Sequence, residues 1–554
     1  MLKNLDNRVH FNLMKLNSLA DLLINAAATW PDSDALIFPK VQLKDNCRSY
    51  QQLFDNAMTK AKGLKAMGIQ AGDHVGIFMP DCVDYVESIY GICLAGARPV
   101  PINARYRATE LAYVVNNADV KLLLSSAIAR DYLDIASMLT RTFPELANST
   151  NTKNLQLEKA PLLKSIVLLH SESSCGFTGS KAFYESADHF SDEDIHLQRE
   201  QIDDHQRAII IYTSGTTANP KGCILSDTML LRNSLAMAEQ RYYLQPEDRF
   251  WDPLPLFHMA AILPMLAVIQ TGGAFACMMH FDVDVALKML EEERISIAFL
   301  TFPPITSALI NHPDFKNTDL SRIRRINNVA PPDTLAIFQK AFPGAVQTAA
   351  FGMTEAGGVI SFNDPSEDLH SRLHTCGRPF DDIEVKIVDP ESGDEVARGE
   401  QGEIIIRGYN LFDGYYKNPE ATAAAVDKDG WFHSGDICSL NEAGNIRYHG
   451  RTKDMLKVGG ENVSALEIES YLSMHPAVKM VQVVGKSDPV MIEVPAAFIE
   501  LKDNVVCTED EIIEFCKDEI ASFKIPRLVR FVTDWPMSAT KVQKFRLREL
   551  LEHE

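Results

Sequence analysis

Between positions 49 and 124 the spacing of apolar residues switches repeatedly between helical and strand-like. Ser49 and Gln52 stand as a capping box ahead of Leu53, Phe54, Ala57, Met58, Ala61 and Leu64, which recur at helical spacing. Positions 75–79 read as a short buried strand, 83–94 as a helix, 99–102 (PVPI) as extended, 109–117 as a helix and 120–124 as another strand. Such alternation predicts an α/β fold, with a largely parallel sheet covered by helices.

The pattern then breaks. Positions 148–206 are polar, Ser-rich and irregular, and read mostly as surface excursions around one strand at 165–169. The α/β signal resumes at Ala208 (AIIIYTSG) and continues through 295–300, 323–330 and the segment ending at Phe351; short β signals follow at 383–388 and 403–407. The longest apolar run, 260–279, is interrupted by Pro264, Gln270, Gly272 and Gly273, so it reads as a buried helix, turn and strand and not as a membrane span. Beyond Lys453 comes a compact α+β unit. It has a helix carrying Leu466, Ile468, Tyr471 and Leu472, strands at 478–484 and 496–501, a helix capped by Thr508 and Glu511, and a strand at 528–532. The expected division is a large domain over 1–452 and a small one over 453–554.

Composition narrows the function classes. With 554 residues, 46% hydrophobic and 23% charged, the chain is not a disordered one. A net charge of −21 argues against a general nucleic-acid binder, so any anionic ligand must be met by local donors. None of the ten cysteines lies in C-x-x-C spacing, which points to reduced thiols in a cytoplasmic protein and away from a zinc or redox site. The N-terminal residues lack a signal-peptide core and the tail LEHE is neither a retention nor a peroxisomal signal, so a cytoplasmic protein without an integral membrane segment is expected, with peripheral membrane contact left open.

The strongest local motif is YTSGTTANPKG at 212–222. An apolar strand runs into a loop of hydroxyls and glycines closed by Lys221, which together are donors for a polyphosphate. It is not a Walker A loop, because Lys221 is followed by Gly222 and a strand-like Cys-Ile-Leu. FGMTE at 351–355 offers an aromatic face for a base, a hydroxyl for a phosphate and a carboxylate for Mg²⁺. WFHSGD at 431–436 places Asp436 in a Gly turn, suited to ribose hydroxyls; Arg451 is suited to ribose or phosphate, and Gly459 and Gly460 to the flank of a moving segment. Each also has a plain structural reading: a Ser/Thr-rich hairpin, a turn cap, a surface ion pair, a glycine hairpin.

The order of these motifs, with PLFH at 255–258, GEIIIRG at 402–408, GRTKDMLKVGGENV at 450–463 and SATKVQKFRLRE at 538–549, resembles the adenylate-forming superfamily of acyl-CoA synthetases, luciferases and peptide-synthetase adenylation domains. The resemblance runs from about Leu19 to Leu550. It implies a large ATP- and acyl-binding adenylation domain of helix-covered sheets with a small β-barrel-like part, a small mobile C-terminal lid, an acyl-AMP intermediate, and transfer of the acyl group to coenzyme A. It also implies roles for particular residues. Thr213, Ser214, Gly215, Thr216, Thr217 and Lys221 would hold the β,γ-phosphates; Thr354 would contact the α-phosphate, and Glu355 would bind Mg²⁺. Phe351, with Gly352, Met353 and Ala330 near it, would hold adenine, and Asp436 and Arg451 the ribose. Lys453 would be the hinge, Lys457, Gly459 and Gly460 would face coenzyme A, and His258 would stand between the acyl pocket and the thiol tunnel.

The family's catalytic lysine follows a Gly, six residues after a Pro. Here the ending PMSATK (536–541) lacks the Gly and is one residue shorter, so Lys541 is the expected catalytic lysine and Lys544 the alternative under a shifted register. Ala218 and Phe351 stand where Gly and Tyr are common. The acyl-pocket segments, at 258–263, 302–309, 330–332 and 349–358, are small and apolar, which points to a hydrophobic monocarboxylic acid: fatty, aryl or a steroid side-chain acid. The competing functions are carrier-protein loading, a luciferase-like oxygenase and a non-catalytic acyl-nucleotide binder. The expected partners are thus the acid, ATP and coenzyme A, and a homodimer is compatible with the sequence.

Overall fold

The computed structural model describes residues 16–552, apart from 45, 202–207, 214–219, 452–453, 459–460, 489–490, 518, 521 and 539–540. Two helix-covered sheets dominate the first four hundred or so positions. One has seven strands in the order Val346–Thr348, Arg325–Asn328, Ile297–Thr301, Arg249–Trp251, Ala274–Ala276, Asp34–Ile37 and Cys47–Ser49; all neighbours are parallel except the last pair. The other has five parallel strands in the order Arg98–Pro101, His74–Phe78, Val120–Ser126, Ser165–Leu169 and Thr178–Gly179. Every residue of His74–Phe78 and Ser165–Leu169 is buried, as strands covered on both faces must be. Hence they read as apolar runs and not as alternations.

The helices Tyr50–Ala66 and Val83–Leu94 fall where the periodicity puts them, and the Ser49–Gln52 capping box forms. The 260–279 run folds as expected into the helix Met259–Thr271, a turn and the strand Ala274–Ala276. The turn needs glycine: Gly272 has φ +76°, and a Cβ there would lie 2.5 Å from the Trp30 ring. Among the described residues no helix is long and apolar enough to cross a membrane.

The 148–206 region corrects the sequence expectation. It contains the helices Ser180–Ala187 and Asp192–Arg199 as well as the expected strand. Each helix has eight residues and buries only two side chains, Phe183 with Ala187 and Ile195 with Gln198, so its period is swamped by polar positions. Gly63 leaves the space that the Phe183 ring fills.

Three smaller antiparallel sheets carry most of the motifs. The hairpin Ala208–Thr213 and Lys221–Ser226 is extended by Gly414–Tyr415. Ala350–Phe351 pairs with Ser361–Phe362, and the latter with Arg378–Pro379. Ile383–Val388, Gly402–Gly408, Phe432–Leu440 and Ile446–Arg451 form a four-stranded sheet.

From Met455 onward the chain builds another sheet, ordered Glu461–Ser464, Met455–Val458, Ile492–Leu501 and Val478–Asp488, with Leu528–Phe531 parallel to Ile492–Leu501. It has its own core, including Leu456, Ile468, Leu472, Val483, Ile499 and Ile512. The Thr508–Glu511 capping box starts the helix Glu509–Cys516.

Candidate active site

The polyphosphate motif is a hairpin. Thr213 and Lys221 are register partners at its loop end, and the Thr213 hydroxyl lies 3.5 Å from the Lys221 carbonyl. Ser214, Gly215, Thr216 and Thr217 lie outside the described residues. The Lys221 ammonium stands 4.9 Å from the centre of the Tyr415 ring, a cation–π contact. Tyr415 is the register partner of Cys223 on the adjoining strand, and its hydroxyl donates to Glu355 Oε1 at 2.9 Å. Burial, with the Glu355 carboxylate next in weight, pushes the Tyr415 hydroxyl well above its ordinary range, so it stays a proton donor. Nothing in the sequence patterning singled out Tyr415; the two-residue strand Gly414–Tyr415 carries no periodicity of its own.

Glu355 belongs to the short 3₁₀ turn Thr354–Ala356, and its carbonyl accepts the Phe412 N–H at 2.9 Å. The turn is closed by glycines that permit tight approach. A Cβ on Gly352 would lie 2.2 Å from the Gly358 carbonyl, and one on Gly357 would lie 2.9 Å from Met229. Gly358, at φ +95°, faces Met259 and Leu263 of the helix that starts after His258. The glycines of this segment therefore serve close packing.

Phe351 ends its strand directly before this turn. It is buried, with its ring centre 6.0 Å from that of Tyr448. Met353 is partly buried against the core. Ala330 follows the strand Arg325–Asn328 and also packs against the core, while Asn328 is held by Thr306 at 2.5 Å and Gln347 at 2.9 Å.

Asp436 and Arg451 are register partners on adjacent strands, and Arg451 Nε donates to Asp436 Oδ1 at 3.0 Å. Asp436 is not in a turn, as the sequence suggested, but inside the strand Phe432–Leu440. The strand bulges at Ser434–Gly435, where Gly435 takes φ +69° and donates its N–H to Glu403 at 2.8 Å. The Gly that reads as a turn is the bulge that turns Asp436 toward Arg451. Burial opposes the charge on Arg451, but Asp436, Tyr448, Asp454 and Glu355 outweigh it and hold the guanidinium above its ordinary value.

His258 caps the helix Met259–Thr271, its carbonyl accepting from Ala261 and Ile262, each at 3.1 Å. Lys453, Gly459 and Gly460 lie outside the described residues, as do the side chains of Lys457 and Lys541; the backbone of Lys541 pairs with Ser538 in a short hairpin. Lys544 is committed elsewhere, to Glu469 at 2.6 Å.

Comparison with known proteins settles the family. The model of the AMP-binding enzyme family matches residues 23–416, and that of the AMP-binding enzyme C-terminal domain matches 467–541. The chain belongs to the AMP-binding enzyme family. It is 35% identical over 540 residues to YngI of Bacillus subtilis, which is named as an acyl-CoA synthetase, covering 96% of this chain and 97% of that one. It is 31% identical over 542 residues to the mitochondrial medium-chain acyl-CoA ligase ACSF2 of Macaca fascicularis, covering 94% and 85%. The solved anthranilate CoA ligase AuaEII, in complex with anthranoyl-AMP, superposes with a TM-score of 0.81 at 25% identity over 97% of each chain. Within the AMP-binding enzyme family, this protein falls among the AMP-forming acyl-CoA ligases, with their large N-terminal and small C-terminal parts.

Proposed function

We propose that this enzyme activates a hydrophobic monocarboxylic acid with ATP and passes the acyl group to coenzyme A. In the first step a carboxylate oxygen attacks the α-phosphorus of ATP and pyrophosphate leaves, giving acyl-AMP. In the second, the thiolate of coenzyme A attacks the acyl carbon, the C–O bond to phosphate breaks, and AMP leaves.

Such displacement is mainly a matter of positioning and charge stabilisation. The observation that carries the reading is the convergence of Lys221 and Glu355 on one Tyr415 ring. On a body of net charge −21, local cations such as Lys221 and Arg451 are what a polyphosphate requires. Lys221, with the 213–217 hydroxyls and N–H groups, would hold the β,γ-phosphates, and Thr354 the α-phosphate. Phe351 beside Tyr448 offers adenine an aromatic face. The Asp436–Arg451 pair can accept from and donate to ribose hydroxyls. Glu355 fits a hard cation: it is a carboxylate whose Oε1 takes the Tyr415 hydroxyl while other lone pairs stay available. Mg²⁺ held there would neutralise phosphate charge. Lys541 is the cation proposed to approach the reacting carboxylate, with the boundary between the two domains at 452–453, Lys453 as hinge, and Lys457, Gly459 and Gly460 near coenzyme A.

For the acid, support comes from relatives named as medium-chain acyl-CoA ligases. A medium-chain fatty acid is therefore the favoured substrate, with aryl acids next. The test measures AMP release with ATP and Mg²⁺ across fatty acids of graded length, aryl acids and steroid side-chain acids, with and without coenzyme A. Turnover with medium-chain acids that requires coenzyme A is expected. Turnover that ignores coenzyme A would overturn the acceptor, and preference for a short polar acid would overturn the substrate class.

A further inference from the structure

The segment Asp252-Pro-Leu-Pro-Leu-Phe-His258 crosses the interior: residues 252–257 are all buried. Buried backbone N–H groups need acceptors, and Pro253 and Pro255 bring none of their own to satisfy. Two carboxyl groups serve this segment. Asp252 Oδ1 accepts the Leu254 N–H at 2.9 Å, and the Asp252 N–H donates to the Ala276 carbonyl at 2.8 Å. Asp81 Oδ1 accepts the Leu256 N–H at 3.0 Å. The His258 N–H then closes the segment on the Pro255 carbonyl at 3.0 Å.

The two acids come from different sheets. Asp252 follows the strand Arg249–Trp251 of the seven-stranded sheet; Asp81 lies between the strand His74–Phe78 of the five-stranded sheet and the helix Val83–Leu94. In both, the acid lies past the carboxyl end of the strand, where open α/β sheets build their sites. We infer that Asp81, with Asp252, is a positioning residue that holds the 253–258 segment across the two sheets and thereby sets the place of His258. The inference rests on the role proposed above for His258 beside the acyl group.

Burial raises both carboxyl groups, Asp252 well above its ordinary value and Asp81 to about 7, with the Leu256 N–H and Arg105 pulling Asp81 down. Asp252 Oδ2 has no hydrogen-bond partner among the described residues, which suits a protonated carboxyl. Asp81 is thus required as an acceptor for one N–H, a task that an amide oxygen performs equally well.

The test compares full-length Asp81→Ala, Asp81→Ser and Asp81→Asn with the wild type. Losing a buried acceptor is expected to raise the KM for the acid about tenfold in Asp81→Ala, with the KM for ATP changed less than about twofold. Asp81→Asn is expected to restore the acid KM. Hydrogen exchange over 253–258 is expected to quicken in Asp81→Ala and recover in Asp81→Asn, and Asp81→Ser serves if the Ala variant does not fold. An Asn variant as impaired as Ala, a parallel rise in both KM values, or unchanged exchange would overturn the inference. A wild type silent with every acid would instead overturn the ligase reading, and exchange would still decide whether Asp81 holds the segment.

Discussion

The Tyr415 hydroxyl donates to Glu355 at 2.9 Å while the face of the same ring lies 4.9 Å from the Lys221 ammonium. One side chain therefore orients both the carboxylate proposed for Mg²⁺ and the cation proposed for the phosphates. Tyr415→Phe keeps the ring and removes the donor. A hydrogen bond to a charged group is worth about 1.5–3 kcal/mol, less at this half-buried position, so the KM for Mg·ATP should rise about three- to tenfold. The KM for the acid should hold. Steady-state pyrophosphate release against ATP at fixed Mg²⁺ checks this, and an effect confined to the acid would remove Tyr415 from the nucleotide site.

The two lysines near the C-terminus should separate cleanly. Lys544 and Glu469 form a largely buried pair, and Glu469 also accepts the Val483 N–H at 2.7 Å. Burial drives the Glu469 carboxyl up, against the pull of Lys544, so Lys544→Ala leaves a buried carboxyl without its cation. Loss of about 3 kcal/mol from the C-terminal part is expected, seen as an earlier step in urea or thermal unfolding. Lys541→Ala should leave unfolding unchanged, slow adenylation greatly and spare thioester formation from preformed acyl-AMP. Equal loss of both half-reactions would contradict the assignment of Lys541.

What could be read from the sequence follows from how each element is buried. Strands covered on both faces, such as His74–Phe78, stand out as apolar runs, and the Ser49 and Thr508 caps mark helix starts directly. The helices Ser180–Ala187 and Asp192–Arg199 did not stand out, because each buries only two side chains. Asp436 was legible as a ribose candidate, but not its place in a strand, since a glycine bulge and a glycine turn look alike in one dimension. Tyr415 was illegible for a different reason. Its meaning lies in pairing with Cys223, a partner nearly two hundred positions back in the chain, and no local pattern reports such a contact.

Stability should respond to pH through Asp81 and His449 with opposite signs. Asp81 has its carboxyl raised to about 7 by burial, so the fold carries no penalty at pH 4 and an increasing one as pH climbs to 7. Each tenfold change in proton affinity is worth about 1.4 kcal/mol, which bounds the penalty at about 4 kcal/mol. Asp81→Asn should therefore raise the melting temperature at pH 8 and not at pH 4. His449 is lowered to about 4, chiefly by burial and then by Arg447, so the fold loses stability as pH falls from about 6.5 toward 4 and the unfolded chain takes the proton first. His449→Gln should flatten that acid limb. Melting temperatures measured from pH 4 to 8 test both.

Everything proposed for this site turns on attack of the acid at the α-phosphorus of ATP. A medium-chain acid with ¹⁸O at both carboxyl oxygens is turned over with ATP, Mg²⁺ and coenzyme A, and the nucleotide and phosphate products are read by mass spectrometry. One ¹⁸O is expected in AMP for each acyl-CoA formed, and none in pyrophosphate. Label in orthophosphate with ADP as the nucleotide product, or acyl-CoA formed beside unlabelled AMP, would contradict it.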